Sequence, residues 1–283
     1  MTKTIRRVIG TLMLTALTVS MSVFSSAEVH AAGARPKSIL AVNEARNNEA
    51  ALKILTGGIS FSGKKVACLG DSLTYGLDGS TNEPTEFSYP FFLQLLTGAE
   101  VTNLGYGSST IGSSNVFPMF LRYTDIPEDT DYIVVFGGIN DSFYVTKEQF
   151  GTFEERAPAT FMGELNYLFY GLRTEYPKSE IIVINPPKSL WQYNEYKRGR
   201  GKLVPQARYA EAIRTLSAEY GFHLIDLYEE NILNSFNASV RKKYVPDGLH
   251  PNAAGYHLLA NLVAARMVEI EQTKAAAIAS LQP

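Results

Sequence analysis

The sequence predicts an α/β fold, a three-layer α/β/α sandwich in which helices cover both faces of a five-stranded parallel sheet. Five apolar runs of five or six residues recur along the chain, and each ends at or near Gly, Asn, Asp or Pro. Apolar runs of this length are typical of strands covered on both faces. Because helical stretches separate the runs, the alternation indicates parallel strands joined by helical crossovers.

Each predicted element has its own start and stop signals. The predicted strands are residues 65–69, 100–104, 132–136, 181–185 and 222–227. The predicted helices are residues 43–55, 89–96, 161–176, 205–220 and 252–270. Pro90 lies in the first turn of one helix and Gly98 follows its end, and Pro205 and Gly221 bracket another helix in the same way. Proline near the start and glycine past the end is the usual asymmetry of helices.

The first 31 residues have the organisation of a secretory signal peptide. Lys3, Arg6 and Arg7 form a positive start, residues 8–24 are apolar or small hydroxyl residues, and Ala31 lies at a cleavage site. A retained membrane anchor is the alternative, but residues 8–24 are near the lower length limit for a membrane span and contain several Ser and Thr. We expect cleavage after Ala31, no stable membrane span afterwards, and a secreted protein that is extracellular or associated with the cell surface.

The charge and the cysteine content of the chain limit which molecules it could bind and how it could be stabilised. Cleavage would remove three of 26 basic and one of 28 acidic residues, which leaves 23 and 27. A mildly acidic surface argues against nucleic-acid binding and against a basic membrane-binding patch. Cys68 is the only cysteine, so an intramolecular disulfide is impossible and a buried position in a strand is expected for it.

The chain divides into four predicted segments. They are the signal peptide (1–31), an N-terminal arm that packs on the domain or frays (32–62), a main domain (63–272) and a C-terminal tail (273–283). The mature chain of about 250 residues suffices for one hydrophobic core, so no second domain is required.

Polar clusters follow the first three strands at their carboxyl ends. Asp71 and Ser72 follow the first strand, a Gly-rich turn ending at Ser108 follows the second, and Asn140 follows the third. Residues 247–250, DGLH, lie directly before the final helix. In open parallel sheets, ligands bind beyond the carboxyl ends of the strands. These clusters are therefore the candidates for a functional site.

Of the four histidines, His250 is the candidate for proton transfer to and from a serine. His30 would leave with the leader, His223 lies inside a predicted strand, and His257 has no carboxylate three residues before it. Asp247 has that spacing to His250 and could orient its ring. The alternative left open by spacing alone is that Asp247 only caps the final helix.

Asn140 has two interpretations. An Asn at a strand end is often only a turn residue. Its amide could instead donate a hydrogen bond to an oxyanion, together with main-chain N–H groups at Ser72 and in the turn of residues 105–108. A Gly-rich turn suits this role because it allows a ligand to approach the backbone closely.

Three blocks, in this order, make the chain resemble the SGNH (GDSL) hydrolase family over residues 64–270. They are GDSL at 70–73, GIND at 138–141 and DGLH at 247–250. In the second motif block, this chain differs from the family. The family has Gly about five residues after an Asn such as Asn103, whereas this chain has Ser108 there and Gly at 105 and 107. The oxyanion donor in this turn is therefore left open between Gly107 and Ser108.

The resemblance implies a flavodoxin-like fold and an esterase that works through an acyl-serine intermediate, without metal or cofactor. It implies Ser72 as nucleophile, His250 as general base and then acid, and Asp247 as the residue that orients His250. The oxyanion hole would comprise Ser72, Asn140 and either Gly107 or Ser108. No GxSxG nucleophile elbow of the α/β-hydrolase type occurs in the chain.

The substrate is less determined than the reaction. The leader, the lack in the mature chain of a long apolar segment that could cover a lipid, and the aromatic residues Trp191 and Tyr193 favour esters of carbohydrates. The acyl group is expected to be short, of acetyl type. Asp71, Trp191 and Tyr193 are candidates for substrate contact, although Asp71 also suits a role in holding the turn.

Other functions stay open at this point. A lipase or general carboxylesterase and an acyltransferase would use the same triad. A non-catalytic carbohydrate-binding module is disfavoured because Ser72, Asn140, Asp247 and His250 are all present. The predicted partner is a small-molecule or polysaccharide ester, and the oligomeric state is left open.

Overall fold

A parallel sheet of five strands forms the centre of the protein, as seen in a computed structural model that describes residues 37–193 and 202–281. The strands are β1 (Lys65–Gly70), β2 (Glu100–Gly105), β3 (Tyr132–Phe136), β4 (Glu180–Ile184) and β5 (His223–Ile225). Their order across the sheet is β2-β1-β3-β4-β5, and every neighbouring pair is parallel. The predicted fold class is confirmed.

The helices follow the chain in the order the alternation predicts. They are α1 (Ile39–Thr56), α2 (Ser72–Tyr75), α3 (Tyr89–Thr97), α4 (Met119–Arg122), α5 (Lys147–Phe150), α6 (Phe161–Glu175), α7 (Gln206–Glu219), α8 (Ala238–Tyr244) and α9 (Ala253–Ser280). Short 3₁₀ turns occupy Tyr123–Asp125, Asp141–Phe143 and Leu190–Tyr193, and a two-strand ribbon pairs Leu77–Asp78 with Glu83–Pro84.

Alternating side chains of the sheet supply two separate cores, one on each face. Val66 and Cys68 of β1 pack with α3 and α9, whereas Ala67 and Leu69 pack with α6 and α7. All four side chains are buried, as period-two alternation in a doubly covered strand requires. Burial raises the pKa of the Cys68 thiol to about 12, so Cys68 is a small apolar residue of the core, as the sequence predicts.

The N-terminal arm packs on the domain through α1, which contacts α9. Asn43 is fully buried on this helix, where its amide donates to the main-chain oxygen of Asn231 and its side-chain oxygen accepts from the N–H of Leu233, at 3.0 and 2.9 Å. A buried amide with both ends bonded fixes the helix in one register. Residues 39–56 of the predicted arm therefore pack on the domain.

Two of the differences between predicted and observed boundaries have a clear physical reason. The segment 273–283, expected as a tail, continues helix α9 as far as Ser280, because the Ala-rich run after Thr273 has high helix propensity even though it is exposed. Strand β5 is shorter than residues 222–227 because Asp226 leaves the sheet to bond with Asn185 and Arg214. Among the described helices, none has both the length and the apolar character needed to cross a bilayer.

Candidate active site

The register of the sheet places three polar loops side by side. Gly70, the last residue of β1, is opposite Gly105 of β2 on one side and Phe136 of β3 on the other. The chain segments that follow these residues therefore leave the sheet next to one another. Ser72 lies between the turn after β2 and the loop that carries Asn140.

The backbone turns sharply at the end of β1. A Cβ atom at Gly70 would lie 2.0 Å from the Thr74 hydroxyl, so only glycine allows α2 to fold back so closely. Asp71 caps this short helix, because its Oδ1 accepts the N–H of Leu73 at 2.8 Å. The cap directs Ser72, which is 6% exposed, to the carboxyl edge of the sheet.

A continuous hydrogen-bonded chain joins a serine, a histidine and an aspartate. The Ser72 Oγ lies 3.1 Å from His250 Nε2, and His250 Nδ1 lies 2.7 Å from Asp247 Oδ2. The other carboxylate oxygen of Asp247 accepts the main-chain N–H groups of Leu249 and His250 at 2.8 and 2.7 Å. This local turn fixes the Asp247 side chain, which in turn orients the imidazole.

Trp191 supports this chain of residues from the side. Its ring contacts the His250 ring edge to face, with centroids 5.5 Å apart, and its indole N–H donates to the main-chain oxygen of Asp247 at 2.9 Å. Trp191 therefore lies at the site, as its position after the fourth strand suggests, and it contacts the triad histidine. The side chain of Tyr193 lies outside the part of the chain that the structure describes.

Further contacts around His250 have no signature in the sequence. The hydroxyls of Ser189 and Ser235 both donate to the carbonyl oxygen of Gly248, at 2.8 and 2.7 Å. Gly79 packs against the opposite side, where a Cβ atom would lie 2.2 Å from the carbonyl oxygen of His250. These residues hold the DGLH segment in place, and only their position in the fold reveals it.

One of the two amide hydrogens of Asn140 ties this residue to the turn that follows β2. The Asn140 amide donates to the carbonyl oxygen of Ser109 at 2.8 Å, which leaves its second hydrogen for another acceptor. In the described residues, no protein acceptor bonds the main-chain N–H groups of Ser72, Gly107 or Ser108. The structure thus places all of the predicted oxyanion donors along one edge of the sheet.

Ser108 adopts a conformation that favours glycine. Its φ is +61°, in the left-handed region, which costs a residue with a Cβ about 1 kcal/mol relative to glycine. The turn is closed by a bond from Ser109 N–H to the Tyr106 carbonyl oxygen at 3.2 Å. This backbone conformation gives a physical reason for the glycine that the resembled family has at this position.

Two buried carboxylates hold the loop that follows this turn. The oxygens of Asp141 accept the N–H groups of Ile111 and Gly112 at 2.9 and 3.0 Å, and Glu164 accepts the N–H of Ser113 at 3.0 Å. Burial raises the pKa of Asp141 to about 7, and Glu164 raises it further, against the bonds from the two N–H groups. Asp141 therefore anchors the loop from beneath the edge of the sheet and does not face the cleft.

Asp71 is not positioned to contact a substrate, which corrects its place among the candidates. The Asp71 side chain is 0% exposed, and its Oδ2 has no hydrogen-bond partner among the described residues. Burial raises its pKa to about 7, and the nearby Asp141 acts in the same direction. The role of Asp71 is to cap α2, consistent with its expected part in holding the turn.

Comparison with known proteins agrees with this geometry. The sequence model of the GDSL-like lipase/acylhydrolase family matches residues 68–258. The chain belongs to this family. The resemblance to SGNH hydrolases is thereby confirmed, and the protein is a serine hydrolase that acts on ester bonds. No curated protein matches the chain.

Several solved structures share the fold of this GDSL-like hydrolase. A protein from Lactobacillus plantarum is 31% identical, with a TM-score of 0.59 over 73% of this chain and 96% of that one. A lipase/acylhydrolase from Enterococcus faecalis is 22% identical (TM-score 0.52, 73% of this chain and 96% of that one). A carbohydrate acetylesterase family member from Sinorhizobium meliloti is 20% identical (TM-score 0.50, 73% and 98%). The last two show the common fold alone.

The raised pKa of Asp71 predicts a pH-dependent stability. Between about pH 4 and pH 7 the folded state keeps a proton on Asp71 that the unfolded state releases, so the free energy of unfolding contributed by this group falls as pH rises. We expect Asp71→Asn to remove this contribution, which is on the order of 2–4 kcal/mol across the window. Urea unfolding of both proteins at several pH values measures the difference.

The exposed Asp129 provides the matched control. Its pKa is lowered, so its contribution changes only below about pH 4 and Asp129→Asn should follow the wild-type slope above it. If the free energy of unfolding of wild type and of Asp71→Asn changed in parallel from about pH 4 to pH 7, Asp71 would be ionised in the folded protein and the prediction would be wrong.

Proposed function

We propose that the protein is a secreted serine esterase that hydrolyses short-chain, acetyl-type esters, with esters of carbohydrates as its natural substrates. The observation that carries the catalytic part is the hydrogen-bonded chain Ser72–His250–Asp247, with distances of 3.1 and 2.7 Å. These distances allow a proton to pass from the serine to the imidazole without rearrangement.

The proposed reaction has two steps with balanced proton transfers. Ser72 Oγ attacks the ester carbonyl carbon as His250 Nε2 takes its proton, and the tetrahedral oxyanion accepts hydrogen bonds from Ser72, from Gly107 or Ser108, and from Asn140. Collapse breaks the bond to the alcohol, which leaves with the proton from His250. Water then attacks the acyl-serine as His250 Nε2 takes its proton. Collapse breaks the bond between the acyl group and Ser72 Oγ, which receives the proton from His250, and the carboxylic acid is released.

Features beside the oxyanion turn support the carbohydrate substrate. An open groove of about 760 Å³ is lined by Tyr75, Asn103, Leu104, Gly105, Tyr106 and Gly107. The rings of Tyr106 and Phe117 lie 5.1 Å apart and are 45% and 54% exposed. Aromatic faces beside a polar cleft can stack on sugar rings.

The same surface also favours a second candidate, a lipase or general carboxylesterase. Val116 and Phe117 on the loop next to the turn, and Leu121 in the following helix α4, all have exposed apolar side chains. An acyl chain of several carbons would bury this area as effectively as a sugar would. Acyl-chain preference therefore separates the two candidates.

We expect Ser72→Ala to lower kcat for p-nitrophenyl acetate by on the order of 10⁴ to 10⁶, because the nucleophile is lost. The rate per folded protein, with folding checked by circular dichroism, measures this. Ser217→Ala is the matched control, since Ser217 is a buried serine of α7 whose hydroxyl has no partner in the described residues. An Ser72→Ala variant that kept most of its activity would contradict the proposed mechanism.

We expect kcat/KM to be highest for the acetyl ester in a series of p-nitrophenyl esters of increasing chain length, and acetate to be released from acetylated xylan or peptidoglycan. Phe117→Ala should raise KM for the polymer about tenfold while leaving p-nitrophenyl acetate unchanged, because only the sugar would contact the aromatic pair. A preference for long acyl chains would refute the carbohydrate proposal and support the lipase candidate.

Secretion is part of the same proposal and rests on residues 1–31, which lie outside the described part of the structure. We expect the protein recovered from the medium of an expressing bacterium to begin at Ala32, because cleavage follows Ala31. N-terminal sequencing measures this. A full-length chain found only in the membrane fraction would instead support a retained anchor.

A further inference from the structure

Arg122, at the end of α4, is a buried cation that the reaction described above does not use. It is 9% exposed, and its guanidinium donates to four acceptors. Three are carbonyl oxygens, of Phe117 at 3.0 Å, Leu104 at 3.0 Å and Gly70 at 3.2 Å, and the fourth is the hydroxyl of Ser109 at 2.9 Å. Among the described ion pairs it has no carboxylate partner. The guanidinium therefore binds backbone and hydroxyl oxygens in place of a carboxylate.

The acceptors belong to the segments that carry the oxyanion donors. Gly70 ends β1, two residues before Ser72, and Leu104 lies in β2 just before the turn. Ser109 closes the turn, and its carbonyl oxygen also accepts the Asn140 amide. The Arg122 guanidinium thus bonds directly to the segment of Ser72 and to the turn after β2. It is linked to the third segment, that of Asn140, through Ser109.

The segment from Ser108 to Phe117 has a backbone conformation that the hydrogen bonds of Arg122 help to maintain. Ser108 and Phe117 have φ of +61° and +48°, conformations that residues with a Cβ adopt only when their surroundings impose them. Arg122 bonds the Phe117 carbonyl oxygen and the residue after Ser108, and the Tyr106 ring covers the guanidinium with its centroid 4.6 Å from Cζ. The Ser109 hydroxyl completes the arrangement by donating to the same Phe117 oxygen at 2.6 Å.

We infer that Arg122 is a positioning residue for the oxyanion hole, an inference that rests on the proposed function. Its guanidinium holds the ends of β1 and β2 at a fixed separation. The main-chain N–H groups of Ser72 and of the turn can then bind the same oxyanion. A lysine cannot replace it, because a single ammonium lacks the planar set of donors that reaches four acceptors. Displaced donors would weaken binding of the transition state more than binding of the substrate.

The test compares Arg122→Lys and Arg122→Met with the wild type, using p-nitrophenyl acetate. We expect kcat to fall about 10²-fold while KM changes less than about threefold, as for loss of an oxyanion donor. Rates are expressed per active site titrated with a p-nitrophenyl phosphonate, so that misfolded protein does not contribute. Affinity for phenylboronic acid, which forms a tetrahedral adduct on a serine, should fall by a similar factor.

A double-mutant cycle separates positioning from general stability. If Arg122 acts by holding the donors in place, the double variant Arg122→Lys, Asn140→Ala should show a smaller fold-reduction in kcat than the product of the fold-reductions in the two single variants. If the fold-reduction in kcat of the double variant equals the product of the two single fold-reductions, the inference is overturned. Should the Arg122 variants fold poorly, Ser109→Ala removes one acceptor with little change in volume, and a fall in kcat of about tenfold is expected.

Arg173 offers a matched control. Its guanidinium donates to the carbonyl oxygen of Tyr220 at 3.0 Å and lies 4.8 Å from the Phe222 ring centroid, so it makes the same kinds of contact away from the site. Arg173→Met should leave kcat per titrated site unchanged. If the Arg122 variants also stay within about threefold of wild type while Ser72→Ala is inactive, Arg122 has no positioning role and the proposed function stands.

Discussion

The register of β1 between β2 and β3 is the constraint on which the site depends. Because Gly70 is opposite both Gly105 and Phe136, the three loops that follow leave the sheet at the same level. A slip of one residue in either pairing would turn every side chain of that strand to the other face and shift its loop by about 3.3 Å. The two cores that cover the sheet oppose such a slip, since both would be exposed by it. Core packing thus fixes the relative positions of the predicted oxyanion donors.

Buried polar groups, and not apolar packing, then fix the loops themselves. Asp141, Glu164 and Arg122 bond main-chain atoms between Leu104 and Phe117, a segment without long helices or strands. Such groups cost free energy when they leave water, and that cost is recovered only if their bonds are made in one geometry. A loop held in this way has few alternative conformations. Some stability is therefore lost, and in exchange the predicted oxyanion donors are held in place before a substrate binds.

Much of the fold could be predicted from the sequence, because its signals are local. Apolar runs and the positions of proline and glycine indicated all five strands and their order along the chain, with errors of at most two residues at the strand ends. The positions of Ser72 and Asn140 followed from motifs at strand ends, and that of His250 followed from the DGLH block before the final helix. Arg122 could not be found in this way, because three of its four acceptors are carbonyl oxygens, which every residue has. Gly79 was missed for a similar reason, since the atom that excludes a Cβ belongs to His250, far away in the chain.

Ser72 and His250 meet across 178 residues of chain, a separation that has consequences for how the enzyme matures. A contact between such distant residues forms late in folding, because the entropy of closing the intervening loop has to be overcome by structure already formed. Ser72 is synthesised well before its proposed base, His250, which lies 178 residues later in the chain. An incomplete chain therefore carries a serine without a partner. Esterase activity is consequently a direct measure of completed folding.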